Sequence, residues 1–160
     1  MKQLAIYLND HLAGSIAGIE LIDDLRKRHT DNPPLAKFLE ALRVDIVADQ
    51  AALQKLVQRL GKESTVRKVG GWLAERIGQM KFKAARRKNA SLGLMEGLEA
   101  LVLGITGKQL LWRAINASLG SSPLLRDVDL SQLEERAIEQ LERVESYRLD
   151  AARDIFLRGK

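Results

Sequence analysis

Several polar side chains interrupt stripes of apolar residues whose spacing is typical of the buried face of a helix. In the N-terminal stretch LNDHLAGSIAG, His11 and Ser15 lie four residues apart and therefore on one helical face. Further along the chain, Asp49 and Arg148 each interrupt a run of regularly spaced aliphatic residues, and Glu99 flanks another such run. If these side chains converge, they could form a hydrogen-bond network, a ligand pocket or a cation site.

Burial would oblige the charged residues of this set to find partners. An unpaired carboxylate is very costly in an apolar interior, so Asp49 must pair, take up a proton or bind a cation. Arg148 does not deprotonate, so its guanidinium needs an acceptor or an outward route. The pattern favours a network in which Asp49 pairs with His11 or Arg148 and fixes the register of the helices. A ligand pocket and a metal site are the alternatives.

The sequence offers little for metal or catalytic chemistry. It contains no Glu-x-x-His motif, which the di-iron sites of helical bundles require, and no cysteine for thiolate ligands or nucleophiles. His11, Asp49 and Glu99 could still form a weaker mononuclear site. Ser15, His11 and Asp49 resemble a catalytic triad only in composition, because amides inside a helix are not free to form an oxyanion hole. We predict no cofactor and no catalytic residue, which leans against an enzyme.

Long helices must position these side chains. Helical periodicity covers most of the chain, strand signals are nearly absent, and the breakers TDNPP and GSSP interrupt the pattern. A chain of 160 residues is long enough for one domain with a sizeable core. We therefore predict a single all-α domain over 1–160. Its predicted helices span about 2–29, 34–60, 91–119 and 131–157.

The connection between the second and third predicted helices is much longer than the other two. Short connections produce antiparallel hairpins, whereas a long one can return along helices that are ~40 Å in length. Apolar periodicity within the long connection predicts a short accessory helix at about 65–80. The sequence thus predicts an up-down-down-up bundle with a long crossover, which is the ferritin-like arrangement of helical hairpins.

The crossover also carries a basic cluster in a chain of net charge +5. Clustered cations can neutralise phosphates, so nucleic-acid binding is an alternative function, although no DNA-reading motif accompanies the cluster. The candidate phosphate contacts are Lys81, Lys83, Arg86, Arg87 and Lys88. No signal peptide or membrane-spanning apolar run is evident, and we predict a cytoplasmic protein without membrane contact.

Small residues form stripes on two of the predicted helices. Gly14 and Gly18 share a face of the first, while Gly93, Gly97 and Gly104 share a face of the third. Each glycine inside a helix costs ~1 kcal/mol relative to alanine, so a compensating close contact is expected. That contact would lie between the first and third helices or across a homodimer, and we predict a homodimer formed through these faces.

Two blocks, LNDHLAGSIAG and LEALVLGITGKQLLWRAI, resemble a group of uncharacterised bacterial proteins of the ferritin-like superfamily. The resemblance covers essentially the whole chain, including WLAERIG in the crossover. It implies a ferritin-like fold, but the ligands on which iron oxidation, DNA protection and oxygenation depend do not map onto this sequence. We expect a degenerate, non-catalytic member with a structural, binding or stress-related role. The alternatives are a metal- or small-ligand-binding bundle that uses His11, Asp49 and Glu99, and a DNA-associating protein that uses the basic crossover.

Overall fold

A computed structural model describes residues 2–60, 79 and 90–158. These residues form four long helices, of which the first and second and the third and fourth are joined by short connections, and no strand occurs among them. The helices are α1 (Lys2–Arg28), α2 (Pro33–Arg59), α3 (Ala90–Leu119) and α4 (Leu130–Arg158). The all-α class is confirmed, and each helix boundary lies within one residue of its predicted position. The predicted accessory helix at 65–80 and the basic cluster at 81–88 lie outside the residues that the structure describes, Gln79 excepted.

Polar caps explain where two of the helices begin. Before α2, the side chain of Asn32 accepts a hydrogen bond of 3.1 Å from the amide of Leu35, and two prolines occupy the first turn, where no amide proton is needed. Before α4, Asp129 Oδ1 accepts a hydrogen bond of 2.9 Å from the amide of Gln132. Asp129 thus caps α4, which begins one residue earlier than predicted.

Contacts between the helices establish their directions. The pairs α1–α2 and α3–α4 pack as hairpins, and α1 also packs on α3, as α2 does on α4. Gly97, near the start of α3, adjoins Leu25, near the end of α1. Similarly, Tyr147, late in α4, donates a hydrogen bond of 3.4 Å to the carbonyl of Pro34, at the start of α2. Both pairs are therefore antiparallel, and α2 and α3 run in the same direction.

The core is divided into two apolar clusters along the length of these helices. The cluster nearer the α1–α2 turn includes Leu21, Ile22, Leu39, Leu42, Leu98, Leu101 and Val144. The cluster at the opposite end includes Leu8, Leu53, Leu56, Leu111, Trp112, Ile115 and Leu133. On α2 and α3 the boundary between the clusters falls at the charged residues Asp49 and Lys108, so polar chemistry is concentrated halfway along the helices.

One helix of the described chain, α3, is long and apolar enough to cross a membrane when judged by length and composition alone. Its most apolar window has a mean hydropathy of 1.3, and a third of that window is buried among the other helices. A core helix passes the same test, and α3 packs against both α1 and α4. The predicted absence of membrane contact stays a prediction.

Candidate functional site

Asp49 on α2 is a charged side chain at the centre of the helices, with only 2% of its surface exposed. Lys108 Nζ on α3 lies 2.5 Å from Asp49 Oδ2 and also donates a hydrogen bond to Gln140 Oε1. Gln140 Nε2 on α4 donates a hydrogen bond of 2.9 Å to the same Asp49 oxygen. Arg136 Nη2 lies 2.9 Å from Asp49 Oδ1. These four residues, the Asp49 cluster, tie three helices together.

The two carboxylate oxygens of Asp49 have different hydrogen-bond partners. Oδ2 receives directed hydrogen bonds from Lys108 and Gln140. Oδ1 receives none from the described residues, because Arg136 approaches it without hydrogen-bond geometry and donates instead to the carbonyl of Asp45, at 3.3 Å. Burial lowers the pKa of Lys108 below its ordinary value, while the charge and hydrogen bond of Asp49 oppose that shift.

The partners of Asp49 differ from those predicted. Neither His11 nor Arg148 bonds to it, so that pairing is wrong. Arg148 turns outward and contacts Glu145 at 2.6 Å and Glu99 at 3.3 Å. Its guanidinium finds acceptors and water there at a lower desolvation cost than at the core. Glu99 and Arg148 therefore form a separate, partly exposed ion pair.

A cavity of about 50 Å³ lies beside the Asp49 cluster, between α1, α2 and α3. Its polar lining comes from His11, Ser15, Asp49, Gln50, Lys108 and Trp112. Its other lining includes Gly14, Gly18, Ile46, Leu101, Gly104 and Ile105. Asp49 Oδ1 and Trp112 Nε1 are buried without a hydrogen-bond partner among the described residues. The charge of Arg136 compensates Asp49 Oδ1 at 2.9 Å, so Trp112 Nε1 is the cavity-lining atom of the two that is left as a buried donor without a partner.

His11, like Trp112, is a polar side chain of this lining without a hydrogen-bond partner among the described residues. It is 9% exposed and makes an edge-to-face contact with the ring of Tyr7, at a centroid distance of 4.7 Å. It has no hydrogen bond with any residue that the structure describes. Burial lowers the pKa of His11 to about 4, so the ring is neutral at pH 7. A neutral imidazole offers one donor and one acceptor.

The hydroxyl of Ser15 already donates one hydrogen bond and accepts another. Its Oγ donates a hydrogen bond of 2.7 Å to the carbonyl of Leu12 and accepts one of 2.9 Å from Gln50 Nε2. The hydroxyl proton is thus directed to the backbone rather than to His11, and Asp49 does not orient the imidazole. The three residues share one cavity but lack the linked hydrogen bonds of a catalytic triad.

The residues at the centre do not fit a metal ion. Within residues 2–60 and 90–158, no three histidine or carboxylate side chains are grouped to hold one. The ammonium of Lys108 lies against Asp49 Oδ2, where it would repel a second cation. Glu99, the third residue of the predicted mononuclear site, lies in a separate depression beside Arg148. Among these side chains there is therefore no donor set for a di-iron centre of the kind that other ferritin-like proteins hold.

The glycines of α1 and α3 have different surroundings. A Cβ atom at Gly97 would lie 2.8 Å from Cδ2 of Leu25, so glycine there permits close contact of α1 and α3. A Cβ atom at Gly18 would meet no atom within 4 Å. Gly18 lies inside a helix and lines the cavity, so close packing does not require the absence of its side chain. It leaves open a space that alanine could enter.

Sequence reasoning missed five members of the site, namely Gln50, Lys108, Trp112, Arg136 and Gln140. Gln140 is 1% exposed and lies three residues after Ala137 and four before Val144, which are both buried. That spacing already places Gln140 on the inner face of α4. In sequence, the neighbouring Leu141 also continues the apolar spacing, which makes the inward position of Gln140 hard to recognise.

His11 should make stability depend on pH. Its pKa is about 4 in the folded protein and about 6.5 in the unfolded chain, so the unfolded chain binds more protons between these values. We expect the free energy of unfolding to fall by about 2 kcal/mol from this residue as the pH drops from 6.5 to 4, allowing for partial solvation. Urea titrations of wild type and His11→Leu give the free energy of unfolding as a function of pH for each protein. The contribution of His11 is the difference between the two pH profiles, because the carboxylates titrate in both proteins. Parallel profiles would contradict a buried neutral His11, and His29→Gln is the matched control.

Comparison with models of protein families, with curated proteins and with solved structures gave no match. The predicted homodimer, nucleic-acid contact and cytoplasmic location stay predictions. The function is therefore inferred from the geometry of the site.

Proposed function

We propose that this protein is a ferritin-like helical bundle that binds a small, largely apolar molecule in the cavity between α1, α2 and α3. The ferritin-like part is supported by the two antiparallel hairpins, by the common direction of α2 and α3, and by the blocks LNDHLAGSIAG and LEALVLGITGKQLLWRAI. The bundle centre, where ferritin relatives hold metal, contains a salt-bridged cluster and a cavity instead.

The observation that carries the proposal is Gly18. A glycine inside a helix costs about 1 kcal/mol relative to alanine. That cost is not offset by helix contact at this position, because nothing occupies the space where a Cβ atom would lie. Gly18 also lines the cavity of about 50 Å³, so the missing side chain keeps that space open.

Enlarging residue 18 tests this function. Gly18→Ala should raise the free energy of unfolding by up to about 1 kcal/mol, and Gly18→Leu should fill the cavity and abolish binding. The probe is xenon, which enters apolar cavities and is followed by changes in the NMR shifts of cavity residues such as Trp112 and Gly104. Ala51→Leu, on the exposed face of α2, is the control that adds the same side chain away from the cavity.

Two results would contradict the proposal. One is a wild-type protein whose cavity shifts do not respond to xenon. The other is a response that is the same in wild type and in a folded Gly18→Leu variant.

A further inference from the structure

We propose that the bound molecule is small and uncharged, with a hydroxyl or primary amide head that bonds to His11 and an apolar part directed toward Gly18. The inference deepens the proposed function and rests on it. The ligand class follows from how the two ends of the cavity differ, from the charges that line it and from the free hydrogen-bonding capacity of His11.

The cavity is apolar toward Gly18, and at the other end the His11 ring stands among apolar side chains. His11 and Gly18 are two turns apart on α1, which separates them by ~10 Å along the axis. Because α1 is antiparallel to α2 and α3, Ile46 falls toward the Gly18 end of the lining, and Leu53 and Leu111 fall toward the His11 end, where the imidazole supplies the polar atoms. A molecule with one polar head and a short apolar body matches this arrangement.

The charges that line the cavity are already balanced. Asp49 and Lys108, 2.5 Å apart, are its charged lining residues, and Arg136 does not reach it. An anionic ligand would compete with Asp49 for Lys108, and a cationic ligand would compete with Lys108 for Asp49. A buried ion without its own partner is strongly disfavoured, so the lining selects against both.

His11 can recognise an uncharged head. Its ring makes no hydrogen bond with the described residues, and as a neutral imidazole it presents one donor and one acceptor. A hydroxyl or a primary amide can both donate and accept, so it can satisfy whichever ring nitrogen it meets. A carboxylate only accepts and an ammonium only donates.

The size of the cavity limits the ligand and its affinity. A volume of about 50 Å³ corresponds to roughly three to five water-sized groups. A molecule of that size is expected to bind no more tightly than a Kd on the order of micromolar. Direct titration followed by NMR suits affinities in this range and weaker.

The experiment titrates the full chain at pH 7 with 1-butanol, propionamide, propionate and butylammonium, which are matched in size. We expect 1-butanol and propionamide to bind about tenfold or more tightly than both ions, with shift changes at His11 and Trp112. His11→Phe, which keeps an apolar ring, should weaken 1-butanol about tenfold, the value of one hydrogen bond, while xenon still binds. His11→Gln, which restores a donor and an acceptor, should recover part of the affinity.

Each outcome decides between the two proposals. Ions that bind as tightly as 1-butanol would overturn the uncharged class, and unchanged 1-butanol affinity in His11→Phe would overturn the head-group contact. Xenon binding without binding of any titrated molecule would overturn this inference, with the cavity holding only water at its polar end, and would leave the proposed function standing. Failure of xenon as well would overturn both.

Discussion

Replacing Asp49 with leucine should lower the free energy of unfolding by about 3–5 kcal/mol at pH 7. The substitution leaves Lys108, with 14% of its side chain exposed, as a largely buried cation without its anionic partner, with the neutral amide of Gln140 as its remaining acceptor. It also removes the acceptor of Gln140, which is 1% exposed. Urea unfolding followed by circular dichroism measures the loss.

The difference in the free energy of unfolding between Asp49→Leu and wild type should become smaller in alkaline solution. Without Asp49, only the charge of Asp45 still opposes the effect of burial, so the pKa of Lys108 in the folded variant lies still further below its ordinary value of about 10.4. Between these two pKa values the unfolded chain binds more protons than the folded one, so stability rises with pH. The variant should therefore approach wild type as the pH rises toward 10.

Removing the whole buried cluster should cost far less than breaking it. In Asp49→Leu/Lys108→Met/Gln140→Leu, apolar groups replace every buried member, and Arg136, with a third of its side chain exposed, can turn to water. We expect this variant to lie within about 2 kcal/mol of wild type or above it. Asp45→Leu is the control, since it breaks a partly exposed pair with Arg143 and should cost less than about 1 kcal/mol.

These variants separate two roles of Asp49. A single substitution that costs under about 1 kcal/mol would mean that Lys108 is not held as the structure has it. A triple variant as unstable as the single one would mean that the cluster does more than balance its own charges, for example by fixing the helix register.

The helix boundaries could be predicted closely because the signals that set them are local. TDNPP supplies a cap and two prolines within five residues, and apolar periodicity needs only one helix to be recognised. The burial of Asp49 was also predictable, since its stripe is otherwise apolar. The residue that pairs with Asp49 could not be predicted in the same way. A position on a helix fixes where the Cβ atom lies, but the charged end of a long side chain can lie on either side of it. Lys108 reaches inward from a flank, whereas Arg148 leaves its inner stripe for Glu145.

The cavity was beyond prediction for a different reason. In sequence, Gly18 and Gly97 look alike, as small residues on the inner stripes of long helices. In the structure one adjoins open space and the other adjoins Leu25. Only the relative placement of α1, α2 and α3 distinguishes a glycine that permits contact from one that preserves a void, and no local pattern carries that information.

That distinction leads to opposite expectations for the two glycines. Gly97→Leu should lower the free energy of unfolding by about 3 kcal/mol, because its side chain must displace Leu25, which is 2% exposed and surrounded by core residues. Gly18→Ala should raise it by up to about 1 kcal/mol, since the gain in helix propensity meets no obstacle. Chemical denaturation of the two variants measures both values.

A double-mutant cycle shows whether the Gly97 effect arises at Leu25. Leu25→Ala alone should cost about 2–5 kcal/mol by opening a cavity in the core. In Gly97→Leu/Leu25→Ala the new side chain can occupy part of the volume that the old one leaves. The double variant should therefore be more stable than the sum of the single effects implies, by about 1 kcal/mol or more. Strict additivity would mean that α1 and α3 do not meet at these residues. The glycine stripe of α3 would then remain available for contact with a second chain.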